Sequence, residues 1–253
     1  MKNVYYCPEC GHKLIIENKN SRASFDNLPL PKKNMTNPWK NLPNHKPYIL
    51  PDDKQYIEKY KNYNNLELDT LPEPYVGGIN KSKVVFLALN PGFDDSNITI
   101  NMNSKKFIKD NLDNLKNPIS SNFYYFKKGR ESTGGYIWWS KKLKPLLTSG
   151  VTHKQLLEKM MVIEFFPYHS RKYKHINTKH YIPSQEFSFE LTREAMRQNK
   201  TIIIMRGERL WLKAIPELIQ YPYLTLSSKQ NVTISSNNLG ENSFDNIVKL
   251  LKS

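Results

Sequence analysis

The run Val84-Val85-Phe86-Leu87-Ala88-Leu89, closed by Asn90-Pro91-Gly92-Phe93, constrains this chain more than any other stretch. Six apolar residues in a row, stopped by Asn-Pro-Gly, read as a buried parallel strand that ends in a sharp turn. In open α/β sheets, ligands bind just outside the carboxyl ends of such strands. Proline and glycine are expected to fix the turn, so that the polar Asn90 is presented rigidly where chemistry takes place.

Two further apolar runs lie downstream, Met161 to Phe166 ended by Pro167 and Thr201 to Met205, with a shorter one at Leu224 to Leu226. Helical patterns alternate with them. Asp52-Asp53 opens a short helix through Tyr56, Ile57 and Tyr60, and Ser104 to Leu115 forms another. Ile137 to Leu147 reads as an amphipathic helix with Gly150 near its stop, and Thr152 caps a helix over 153–159. Ser184 to about Gln198, Arg209 to Ala214 and Ser243 to Lys252 complete the set, while Phe123 to Phe126 reads as a short aromatic strand or platform. Strand and helix in alternation imply an α/β fold: three layers, α/β/α, around a central, mostly parallel four-stranded sheet, with an N-terminal extension. Residues 1–16 form a zinc-ribbon-like knuckle, 17–65 an extended Pro/Asn/Lys-rich arm with a short helix, and 66–253 the α/β domain.

The 253 residues carry a formal net charge of +15. That charge is either the surface of a Lys-rich chain or the footprint of a polyanion partner, and lysines interleaved with Tyr, Trp and Phe favour nucleic acid. No apolar run approaches the roughly 20 residues that span a bilayer, and Met1-Lys2-Asn3 does not open a signal peptide, so a cytoplasmic protein without a membrane partner is expected; a monomer is expected as well. Two cysteines rule out a disulfide framework. Cys7 and Cys10, in Cys-Pro-Glu-Cys-Gly-His, resemble half of a zinc ribbon; either His12 and His45 or a second chain completes a structural zinc site, or the pair stays as free thiols.

Leu89-Asn90-Pro91-Gly92 is similar to the first active-site motif of the uracil-DNA glycosylase superfamily, in its mismatch-specific and single-strand-selective branches. Three later segments resemble that family in their order along the chain: the aromatic helix Gly135-Tyr136-Ile137-Trp138-Trp139, the strand-turn Ile202-Ile203-Ile204-Met205-Arg206-Gly207, and Gln230-Asn231-Val232-Thr233-Ile234-Ser235 at the place of motif two, here without its prolines. The likeness spans roughly residues 70 to 253. It implies hydrolysis of the N-glycosidic bond of a uracil or modified pyrimidine flipped out of DNA, with Asn90 orienting the water and Pro91, Gly92 and Phe93 beside the substrate.

By the same likeness, Glu164 stands where the family reads the base, often with Asn. As a carboxylate it would accept from an amino group such as cytosine N4, which places uracil in question. A buried pair with Arg206 or Lys172 is the alternative reading of Glu164. Asp94 and Asp95 either activate water or solvate a turn. His169 is a candidate proton donor to the leaving group. Tyr125, Phe126 and Tyr136 are candidates to stack on the extruded base. Arg171, Lys172, Lys174 and Arg206 suit phosphates, and Asn231, Ser235, Ser236, Asn237 and Asn238 form the loop expected to enter the minor groove. No metal or other cofactor is expected for the chemistry. Two other classes remain: a catalytically inactive nucleic-acid-binding relative, and an unrelated small-molecule α/β enzyme, for which no Walker loop or G-x-G-x-x-G stands after a strand.

Overall fold

The computed structural model describes the backbone of residues 2–6 and 13–17, and residues 36–60, 65–93, 104–173 and 181–253 in full. Strands β1 (Lys2–Tyr6) and β2 (Lys13–Glu17) pair antiparallel, Lys2 opposite Glu17. Cys7, Cys10 and His12, between these strands in the sequence only, fall outside the described residues.

The main body is α/β. Its sheet is built from β3 (Tyr75–Val76), β4 (Val84–Ala88), β5 (Met160–Glu164), β6 (Thr201–Ile204) and β7 (Leu224–Thr225), in the order β3-β5-β4-β6-β7. Four strands run parallel, as expected. The fifth, β3, is only two residues long and joins β5 antiparallel, with Tyr75 opposite Ile163. It is too short to show a period of two, so the sequence pattern carries no sign of it. Successive residues of the buried strands serve different cores: Val85, Leu87, Met161, Ile163, Ile202 and Ile204 pack in one, Val84, Phe86, Met160, Val162 and Ile203 in the other. An uninterrupted apolar run is what a strand needs when helices cover both faces. Each fully buried Val, Leu or Phe contributes about 1.5–3 kcal/mol, so β4 alone anchors much of the body.

The helices are α1 (Pro51–Glu58), α2 (Lys105–Lys116), α3 (Gly134–Lys142), α4 (Lys144–Thr148), α5 (His153–Lys159), α6 (Gln185–Arg197), α7 (Glu208–Ala214), α8 (Ser236–Leu239) and α9 (Glu241–Lys252). Their starts obey local chemistry. Ser104 Oγ accepts from Phe107 N at α2, and Thr152 with Gln155 forms a full capping box at α5. The single helix expected over 137–147 is two, because Pro145 has no N–H to continue the ladder and α4 restarts around it. The stretch Phe123 to Phe126, expected as a short aromatic strand or platform, carries a 3₁₀ turn, Tyr124–Phe126. Among the described residues, no helix is long and apolar enough to cross a membrane.

A buried network ties α1 to the sheet's carboxyl edge. Asp53 accepts from Tyr168 Oη (2.7 Å) and Ser184 N (3.0 Å), and Tyr168 Oη accepts from Leu50 N. Burial raises the Asp53 pKa, against the pull of those hydrogen bonds. The bonds hold the loop that carries His169.

Candidate active site

Beyond the strand ends, the chain leaving β4 stays attached to the chain leaving β5. Phe166 N donates to Leu89 O at 2.8 Å, Ser170 N to Pro91 O at 3.3 Å, and Gly92 bridges Ser170. This pairing makes the corner stiff. Gly92 does not: its φ is not positive, and a Cβ built on it would touch nothing within 4 Å. What glycine leaves there is open space on the wall of a cavity of about 610 Å³, within the roughly 300–1,000 Å³ of small-molecule sites.

Asn90 is half-buried on that wall. Both hydrogens of its amide nitrogen are used, toward Pro91 O (2.9 Å) and Ser170 Oγ (2.8 Å). The side-chain oxygen is left as a fixed acceptor, with no hydrogen bond among the described residues. The buried His169 is pinned in the same way. Gly92 O can only accept, so His169 Nδ1 carries the proton of that 2.8 Å bond. Nε2 is buried with no hydrogen-bond partner and lies 3.7 Å from Glu73 Oε2. Phe93 packs edge-on against His169, and Arg171 lies over the Phe93 ring while pairing with Glu67 at 2.9 Å.

Glu73 is a site residue that sequence reasoning misses. Antiparallel pairing of β3 carries the residues before it past the carboxyl end of β5, so Glu73 comes into the cavity wall beside Glu164. Its two oxygens accept from Tyr124 Oη, from Tyr125 Oη at 2.8 and 2.6 Å, and from Asn111 Nδ2 at 3.3 Å. Each of its hydrogen-bond partners among the described residues is a donor, which is how a charged carboxylate is held. Burial first, and then the Glu73 charge, push both tyrosine hydroxyls well above the ordinary phenol pKa, so they remain donors. Tyr125 reaches Glu73 because residue 135 is glycine: a Cβ there would stand 1.9 Å from the Tyr125 ring. The only cue in the sequence is a carboxylate between two prolines, in a stretch that reads as a turn-rich lead-in.

Glu164 closes β5 and is buried, yet its Oε2 has no hydrogen-bond partner and no cation of the described residues is within ion-pair distance. Neither pair that the sequence allowed has formed: Lys172 is exposed, and Arg206, also exposed, donates to Gln230 O. Burial raises the Glu164 carboxyl to about 8, with a further push from Glu73 and a smaller opposing pull from Arg206. Near neutrality most of it is uncharged acid, with one O–H to donate and one C=O to accept. Asn likewise offers a donor and an acceptor.

The other expected residues are dispersed. Pro91, Gly92, Phe93, Tyr125, Arg171 and Arg206 line the cavity together with Asn90, Glu164 and His169. Phe126 and Tyr136 do not; they pack with His153, on which Tyr136 stacks. The rim instead takes Ile137, Trp138 and Lys141 from α3, where Trp138 is 38% exposed. Of the motif-two stretch only Val232 lines the cavity. Asn231 accepts from Lys142 Nζ and Thr233 Oγ1. Ser235 stands at the N-cap of α8, and Asn237 is exposed. Ser236 borders a shallower hollow of about 440 Å³ with Lys141, Lys144 and Phe244. Asn238 is buried and bonded to the backbone of its own loop. Asp94, Asp95, Lys174, Cys7 and Cys10 lie outside the described residues. Among the described residues no group of three or more His, Cys, Asp or Glu could hold a metal ion. Searches against protein-family models, curated proteins and solved structures find no match for this chain.

Proposed function

We propose that this protein is a DNA glycosylase, a divergent relative of the uracil-DNA glycosylase superfamily, which hydrolyses the bond between deoxyribose and a uracil or modified pyrimidine everted from DNA. The observation that carries the reading is the state of Asn90: a carboxamide at a stiffened strand end, its N–H groups engaged and its oxygen open to a nucleoside-sized cavity. Such an oxygen accepts a hydrogen bond from one water and turns the water's lone pair toward the sugar carbon, without itself being ionised. Glu164, at the end of the neighbouring strand, contacts the edge of the base. Arg171 and Arg206, which line the cavity, and the exposed Lys172 next to Arg171 contact phosphates, in keeping with the net charge of +15.

The self-bonded loop at 231–238 favours a second reading, in which the chain binds nucleic acid without cleaving it. One experiment separates the two. Oligonucleotides carrying uracil, hypoxanthine, modified cytosines or glucosylated bases are incubated with the protein, treated with alkali and resolved on a gel. Strand breaks at one class of base support the glycosylase; salt-sensitive binding without breaks at any base supports the binding protein.

A further inference from the structure

We infer that Glu164 is the acid of this site, its carboxyl O–H protonating the departing base while the glycosidic bond breaks, beside a second buried carboxylate, Glu73, that holds the negative charge. This rests on the reading that a base is released here, and it names the group that releases it.

Position is the first support. Glu164 is in register with Ala88 across β4 and β5, and Asn90 comes two residues later, so the water-holding amide and the carboxyl rise from adjacent strands into one cavity. Bonding is the second. Glu164 Oε2 is buried without a hydrogen-bond partner, a condition that a buried carboxyl tolerates as neutral acid and not as an ion. Division of roles is the third. Among the described residues Glu73 accepts hydrogen bonds from Asn111, Tyr124 and Tyr125 and the Glu164 side-chain oxygens accept none, which separates two neighbouring carboxyls into one charged and one protonated group. Among the described residues, the charged or titratable groups that act on Glu164 are Glu73, Tyr125 and Arg206, while Lys141, His169, Arg171 and Tyr173 line the same cavity. Among them His169 is the rival acid. Its Nδ1–H is committed to Gly92 O and its Nε2 lies toward Glu73, so a proton on Nε2 is drawn to Glu73 and away from a base.

The step balances as a hydrolysis. The C1′–N bond breaks and its electron pair stays with the base, which takes the Glu164 proton on an exocyclic carbonyl oxygen or a ring nitrogen. The water at Asn90 forms the new C1′–O bond and releases one proton, which returns to the Glu164 carboxylate. Products are the neutral base and a sugar hydroxyl.

The test is single-turnover cleavage over a pH range, on the base identified in the oligonucleotide panel and on the same base carrying an electron-withdrawing halogen, which leaves without help. The wild-type rate is expected to fall about tenfold per pH unit above about 8. Glu164→Gln is expected to lose roughly a hundredfold or more on the natural base, under about tenfold on the halogenated one, and the alkaline fall itself. Glu73→Gln removes the neighbouring charge and is expected to move that fall to lower pH. Equal losses on both bases, or an alkaline fall that survives in Glu164→Gln, overturn the proton donor and leave the glycosylase standing. No cleavage of any base by the wild type overturns both. If Glu164→Gln does not fold, ¹³C NMR titration of the wild-type Glu carboxyls decides: one signal turning over near 8 supports the acid, and every signal complete below about 6 overturns it.

Discussion

The corner at 89–93 and the loop at 231–238 both read as active-site motifs in the sequence, and both present asparagine close to a strand end. They use it in opposite ways. Asn90 commits its nitrogen to the scaffold and leaves its oxygen over a cavity. Asn238 commits everything: its oxygen accepts from Ser228 N at 3.0 Å, and its nitrogen donates to Asn231 O and Thr233 O at 2.7 and 2.8 Å. A polar side chain beside a site acts on a ligand only with an atom that the fold has not already used. The corner also sits among groups that titrate, whereas the segment from Asn231 to Asn238 contains none.

The largest expected effect exploits that last difference. Folding raises the Glu164 carboxyl from 4.5 to about 8, so between those values the folded chain binds more protons than the unfolded one and stability falls as pH rises. Chemical denaturation at pH 5 and pH 8.5 should show Glu164→Gln removing a loss of roughly 3–5 kcal/mol. Asn238→Ala should shift stability equally at both pH values; a pH-dependent shift would mean that the loop is coupled to the site. Next in size, Asn238→Ala strands one N–H and two carbonyls and should cost about 2–3 kcal/mol of stability, while cleavage per folded molecule stays at the wild-type level. Lost cleavage at unchanged stability would return the loop to the active site. Smaller is Lys141→Ala at the rim: the slope of log affinity for DNA against log salt should drop by about 1, and an unchanged slope would remove this rim from the phosphate path. Smallest in stability is Gly92→Ala, within about 0.5 kcal/mol of wild type, since its Cβ enters open cavity. It should raise KM for the substrate, and a collapse in the unfolding midpoint would show that the corner does need glycine.

Features legible in the sequence have a local cause. The long apolar runs mark β4, β5 and β6, and Ser104 and Thr152 mark helix starts because their hydroxyls cap the next turn. Asn90, Glu164 and His169 can be found because each stands at or just past the end of such a run. Glu73 cannot, since its place depends on β3, two residues that pair with a strand 86 positions away, Val76 with Val162. The choice of Tyr125 over Phe126 is equally hidden: the 3₁₀ turn at Tyr124–Phe126 sends one ring to Glu73 and the other to His153. The state of Glu164 needs both its burial and its unseen neighbour.

The most direct test of the central claim is release of free base, measured by mass spectrometry alongside abasic sites, by wild type and by Asn90→Ala of matched unfolding midpoint. The wild type should release one class of base with one abasic site per base, and Asn90→Ala should be about a hundredfold to a thousandfold slower. Free base released equally well by Asn90→Ala, or no base released by either protein, would contradict the account.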